Sequence, residues 1–188
     1  IELILKSNPF PSVCGRVCHH PCESNCRRGK IEESVAIMLL KRFAADYTAG
    51  DNLKLESFKG NKLKEPVAVI GGGPSGLSCA YQLAKRGYRV SVFESENKAG
   101  GMLVSGIPEY RLPKEVVARD ILRLRDAGVA IKTNSALGRD FSIEDLRKKG
   151  FKAFYLALGA WKEAPLQIPG TNLLGFMGSL SFLKDYNS

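Results

Sequence analysis

Four of the chain's five cysteines, Cys14, Cys18, Cys22 and Cys26, recur every fourth residue in the stretch VCGRVCHHPCESNCRRG. Thiolates gathered in this way can ligate zinc or iron–sulfur clusters, or pair as disulfides. No secretory leader pattern is visible, so the expected setting is a reducing, cytoplasmic one that favours metal over disulfides. The first residue is Ile, and the chain reads as a piece of something longer. Side chains four apart share a face only on a helix. Gly15 and Pro21 argue against a continuous helix, so the block is expected to be a ligand-bearing loop. Four cysteines suffice for tetrahedral zinc, although zinc sites favour C-x-x-C pairs. His19 and His20 read as loop surface.

A second constellation follows. Gly71, Gly73 and Gly76 form G-x-G-x-x-G between an apolar run, PVAVI, and a helical pattern, PSGLSCAYQLAKRG. The first glycine permits the tight turn, the second lets backbone approach a pyrophosphate, and the third lets helix and strand pack closely. The helix start offers amide donors and a positive dipole end to phosphates. Glu94 closes the next strand, 18 residues after Gly76, where a carboxylate can accept from a ribose 2′-hydroxyl. This predicts a dinucleotide site. In KAGGMLVSGIPEYRLP, Gly100 and Gly101 allow backbone to run close to a ligand. Arg111 reads equally as a phosphate partner or a surface ion pair. Cys79, within the helix after the loop, reads as a small buried apolar residue rather than a reactive thiol.

The elements that must position these residues fall into three regions: a cysteine module at 1–50, a lysine-rich linker at 51–65, and an alternating α/β region at 66–188. The module should end in a helix over SVAIMLLKRFAADY, with Ser34 as N-cap, Gly50 just past its end, and Val35, Leu39 and Phe43 as a packing face. From Pro66 onward the strands read PVAVI, YRVSVFE, VAIKTN and FKAFYLALG, the last a buried strand running into a glycine turn. The helices between them include PKEVVARDILRLRDAG, with Pro113 in its first turn, and SIEDLRKKG, with Ser142 as N-cap and Asp145 in the first turn. This alternation predicts a Rossmann-like, doubly wound parallel sheet. The formal charge of +9 is spread along the chain rather than gathered in an arginine-rich block, which argues against nucleic acid. No apolar run reaches membrane-spanning length.

Taken together, NPFPSVCGRVCHHPCE, VAIMLLKRFAADY, VAVIGGGPSGLSCAYQLAKRGYRVSVFE, AGGMLVSGIPEYRLP and FYLALGA resemble the glutamate synthase small subunit. The same unit occurs in dihydropyrimidine dehydrogenase and related NAD(P)H-dependent flavin and iron–sulfur oxidoreductases. The resemblance runs from about Asn8 to about Leu183. It implies FAD at the glycine loop, with Gly71, Gly73, Pro74, Ser75 and Gly76 at the pyrophosphate and Glu94 at the adenosine ribose. It also implies that Gly101, Met102, Arg111 and Gly159 line the FAD, that Leu137 contributes from the third strand, and that Val17 approaches the flavin from the module. Cys18, Cys22 and Cys26 are implied as 4Fe-4S ligands divided between two clusters, with Cys14 more variable. The upstream cysteines that complete those clusters are absent from this sequence, and Lys41 stands where some members have a ligand. NAD(P)H is implied to bind a domain beyond this sequence. The expected partner is therefore the remainder of a parent chain or a separate redox subunit. No residue reads as an acid–base catalyst. The alternative is a zinc-stabilised nucleotide-binding interaction module without a redox role.

Overall fold

A computed structural model describes residues 1–49, 65–164 and 166–187. The linker expected at 51–65 and Gly50 lie outside the described residues, apart from Glu65. The chain begins with three short helices, α1 (Glu2–Leu5), α2 (Pro11–Val17) and α3 (Pro21–Ser24). A 3-10 turn at Arg27–Lys30 and helix α4 (Ile37–Tyr47) follow. The cysteine block is therefore helical in two pieces rather than a loop. Pro11 and Pro21 each start a helix, where the missing amide costs nothing. Gly15 is accommodated inside α2 because α4 crosses there. A Cβ at this position would lie 2.7 Å from the Cα of Arg42. Arg16 reinforces the crossing with an ion pair to Asp46, its Nη2 donating to Oδ1 at 2.9 Å and to Oδ2 at 3.0 Å.

Two expectations for α4 are overturned. Ala36, not Ser34, is its N-cap, and no side chain caps it. The apolar stripe is not buried among the described residues: Leu39 is 57% and Phe43 67% exposed, and Val35 is also exposed. Ala45, fully buried, marks the opposite face, which meets α2.

The remainder alternates: β1 (Pro66–Ile70), α5 (Pro74–Lys85), β2 (Arg89–Phe93), α6 (Met102–Ser105), α7 (Lys114–Asp126), β3 (Ala130–Lys132), α8 (Ile143–Lys148), β4 (Ala153–Leu156) and α9 (Ser179–Tyr186). All strand pairs are parallel, in the order β3-β2-β1-β4. This is the expected doubly wound sheet. The period of two along each strand splits the core. Val69, Val90 and Val92 face α5 and α7, joined by Phe10 and Val13 from the cysteine module. Ala68, Ile70 and Phe93 face α8 through Leu146. Ser142 and Asp145 form the reciprocal capping box that starts α8.

Three expectations shift. β4 is an exposed edge rather than a buried strand, with Leu156 57% accessible. Leu137 lies beyond β3, in an isolated bridge to Phe141. Pro113 is the N-cap of α7 rather than a first-turn residue.

The module is tied to the sheet domain by side chains of α5. Tyr81 Oη donates to the carbonyl of Leu5 at 2.6 Å, and Lys85 Nζ donates to that of Lys6 at 2.6 Å. These are the carbonyls that a short helix leaves without partners at its C-terminal end.

Candidate functional site

The carboxyl ends of β1, β2 and β4 meet at one cleft of about 480 Å³. Main-chain bonds converge there: Gly71 N–H donates to Phe93 O, Gly100 N–H to Gly72 O, and Ala157 N–H to Ile70 O. At Gly71 the backbone takes φ 109°, and an added Cβ would collide with the Ala157 carbonyl. Gly76 sits in the first turn of α5, where an added Cβ would strike the carbonyl oxygen of Gly71. Gly73 differs from both. Its backbone is extended (φ −77°, ψ −179°), and a Cβ would meet only the Cα of Gly101, 3.9 Å away. Helix α5 starts at Pro74 without a side-chain cap, so its first-turn amides face the cleft mouth.

Glu94 is buried at the floor. Its Oε2 accepts from the Gly72 amide at 2.6 Å; its Oε1 accepts from the Glu96 amide at 2.9 Å and from Ser95 Oγ at 3.1 Å. Oε2, with one donor, keeps a further lone-pair direction for a ligand hydroxyl, while both directions of Oε1 are taken. Glu94→Gln puts an amide group in place of one oxygen, against amide or hydroxyl donors. Hydrogen bonds to a charged acceptor are worth roughly 1.5–3 kcal/mol, so urea denaturation should find the variant about 2 kcal/mol less stable. An unchanged urea midpoint would contradict this role in the loop.

Of the residues expected at the site, Gly71, Gly73, Pro74, Ser75, Glu94, Gly101, Met102, Leu137 and Gly159 line the cleft. Gly76 is buried beneath it. Arg111 is exposed in the turn before α7, and Val17 packs against the main core; neither lines the cleft. Sequence reasoning missed Ser95, Ser135 and Trp161, which do line it. Trp161 donates from Nε1 to the Leu158 carbonyl at 3.1 Å. Its signal was available as the chain's single tryptophan just past the Gly159 turn. A larger cavity, about 970 Å³, opens at the amino ends of the strands beside Pro66, Arg89 and Ala130. It holds none of the motif residues, and ligands of open α/β sheets bind at the carboxyl ends.

The cysteines are all free thiols. Cys18, the C-cap of α2, accepts from the His20 amide at 3.3 Å. Cys22 is exposed on α3. Cys26 precedes the 3-10 turn; the amides of Val35 and then Arg28 hold its thiol below the ordinary value, as suits a thiolate ligand. Burial pushes the Cys79 thiol up, as suits an inert packing role. Among the described residues no three His, Cys, Asp or Glu side chains gather as a metal-binding group. The arrangement thus contains neither a four-thiolate zinc site nor a complete cluster ligand set. It presents single thiols that a cluster would need partners to complete.

Comparison with known protein families matches two segments of the chain. Residues 1–53 match the family described as dihydropyrimidine dehydrogenase domain II, 4Fe-4S cluster, and residues 69–117 match the NAD(P)-binding Rossmann-like domain. The glutamate synthase [NADPH] small chain of Bacillus subtilis is 34% identical over 97% of this chain. The chain belongs to the glutamate synthase small-chain type of oxidoreductase family. The NADPH-Fe(3+) oxidoreductase subunit beta of Geobacter sulfurreducens is 41% identical over 98% of this chain. The NADP(+)-dependent formate dehydrogenase subunit beta of Moorella thermoacetica is 37% identical over 100% of it. The chain spans 37%, 28% and 30% of the lengths of these three relatives, in that order. In fold it is similar to FprA of Mycobacterium tuberculosis, solved with NADPH (TM-score 0.58, 24% identity, 66% of this chain and 29% of that one). Among the described residues no helix is long and apolar enough to cross a membrane.

Proposed function

We propose that the chain is the FAD-binding segment of an NAD(P)H-dependent flavin and iron–sulfur oxidoreductase, resembling the glutamate synthase small subunit. The observation that carries this reading is the joining of two features in one fold. A glycine-lined dinucleotide cleft, with Glu94 on its floor, shares a hydrophobic core with a helical module carrying Cys18, Cys22 and Cys26. When bound, FAD accepts a hydride and gives up electrons singly.

The chain's own residues bind and orient. The extended backbone at Gly73 leaves room beside the α5 amides for a pyrophosphate, and those amides donate to it. Glu94 accepts from a ribose hydroxyl while the Gly72 amide holds its carboxylate in place. Gly101 and Met102 form the far wall of the cleft, with Gly159 at its β4 end. Cys18, Cys22 and Cys26 each offer a thiolate to clusters whose remaining ligands come from elsewhere in the assembled enzyme. Arg111 and Val17, outside the cleft of this chain, are proposed to reach the flavin only in that assembly. NAD(P)H is proposed to bind a further domain, and the assembled enzyme to work in the cytoplasm.

The test is the visible spectrum and metal content of protein purified without oxygen. Flavin bands and a broad brown absorbance that both bleach with dithionite, with iron rather than zinc, are expected of the assembled enzyme. Zinc at about one per chain without iron or flavin would instead establish a zinc-stabilised interaction module.

A further inference from the structure

Helix α2 carries Cys14 and delivers the chain to Cys18, yet it has no cap of its own. Its N-cap is Phe10, and no local side chain accepts from its first-turn amides. The acceptor comes from a residue 107 positions away. The Val13 amide, third in the helix, donates to Asp120 Oδ2 of α7 at 3.2 Å. This is the bond that an N-cap aspartate would accept from within its own chain segment. The carboxylate also stands at the positive end of the α2 dipole.

Asp120 is completely buried, on the apolar stripe that α7 turns inward with Val116, Val117, Ile121 and Leu124. Burial pushes its carboxyl above the ordinary range, while Arg123 and the α2 donors oppose that shift. Arg123 Nη1 reaches Asp120 Oδ1 at 2.5 Å. A buried ion pair is seldom the most stable choice for such a position, where apolar side chains would pack as well. What it supplies is a directional contact that holds α2 in one orientation. The α5 side chains that bind the α1 carbonyls make the complementary tie, donors meeting a carbonyl end.

We propose that Asp120 is a positioning residue: capping α2 from α7, it fixes Cys18 relative to the dinucleotide cleft. The inference rests on the reading that the cleft holds FAD and that Cys18 serves a cluster. Helix α2 is the rigid spacer between Asp120 and Cys18, about 10 Å long for its seven residues. Asp120 touches no reacting atom. It acts through the helix.

The test uses Asp120→Asn in the assembled enzyme, which keeps the shape and removes the charge. Reduction of flavin by NADPH and onward reduction of the clusters are followed separately by stopped-flow absorbance. The onward step should slow roughly tenfold or more, as misplacement by a fraction of an ångström or more can produce, while flavin reduction keeps its wild-type rate. Hydrogen exchange should rise several-fold in residues 11–18 and stay unchanged in β1 and α5. Wild-type rates in both half-reactions would overturn the proposal. So would a parallel slowing of both with exchange rising throughout the sheet, which is the mark of a merely structural role. If Asp120→Asn does not fold, Arg123→Lys carries the same comparison, since it loosens the carboxylate without exposing it. Wild-type protein lacking flavin and cluster absorbance would defeat the functional reading instead. The exchange comparison over residues 11–18 would still decide whether Asp120 caps α2.

Discussion

A Gly73→Leu variant is expected to fold as the wild type does and to lose its flavin. The backbone at this position is extended, a conformation open to any L residue, and the nearest atom to an added Cβ is 3.9 Å away. The added Cβ therefore meets no protein atom that must move, and melting should change little. The side chain's outer carbons occupy the cleft between the glycine loop and Gly101, where the proposed pyrophosphate lies. Overpacking of this kind costs about 1–3 kcal/mol even between flexible groups. Against a charged, rigid pyrophosphate that also loses its amide donors, the upper end or beyond is expected, roughly a hundredfold or more in affinity at 1.4 kcal/mol per tenfold. Flavin absorbance per protein after gel filtration checks this. Full retention of FAD by a folded Gly73→Leu protein would remove the glycine loop from the binding site.

The neighbouring glycine should behave in the opposite way. Replacing an exposed helical glycine by alanine ordinarily stabilises a protein by roughly 0.4–1 kcal/mol. Gly76 is helical and buried, and its Cβ would strike the Gly71 carbonyl while also pressing on Val69 Cγ1 at 3.1 Å. The nearest obstructing atom, the Gly71 carbonyl oxygen, is backbone and cannot swing aside as a side chain would. Gly76→Ala is therefore expected to cost about 3 kcal/mol, at the upper end of ordinary single substitutions. At 2–4 °C per kcal/mol for a chain of this size, the melting temperature should fall by about 6–12 °C. A melting temperature at or above that of the wild type would mean that helix and strand are less closely packed than described. The two variants together separate what each glycine does: one leaves space for a ligand, the other lets the fold close.

The glycine loop, Glu94 and the capping box of α8 were legible because each is dictated within a short window of sequence. A turn that needs positive φ at Gly71 and close approach at Gly76 leaves almost no other residue type. The alternation of strand and helix gave the sheet for the same reason. What escaped depends on partners distant in the chain or outside it. Val35, Leu39 and Phe43 have the spacing of a packing face, but periodicity says only that a helix has an apolar side, not which surface meets it. The apolar run in β4 has the same ambiguity: it records a need for burial that its edge position here does not meet. Gly15 looked like a helix breaker because propensity counts local cost alone, and the crossing of α4 reverses that judgement.

Asp120 was the most instructive omission. It falls at i+4 from Val116 and i−4 from Leu124, on the buried stripe of α7. A carboxylate in that register signals a buried partner. Its partner, the Val13 amide, belongs to a segment that no local reading would connect to it. Arg111 shows the converse, a residue that family resemblance places at the flavin and this chain leaves outside the cleft.

The cleft at the glycine loop is proposed to take FAD, although residues 69–117 match a domain described as NAD(P)-binding. The most direct measurement is equilibrium titration of the 188-residue chain with FAD and, separately, with NADP+, each in the presence and absence of the other. The expected result is saturation by FAD at one per chain, with NADP+ neither binding in its place nor displacing it. Saturation by NADP+ with exclusion of FAD would contradict the account and make this cleft the site of the nicotinamide donor.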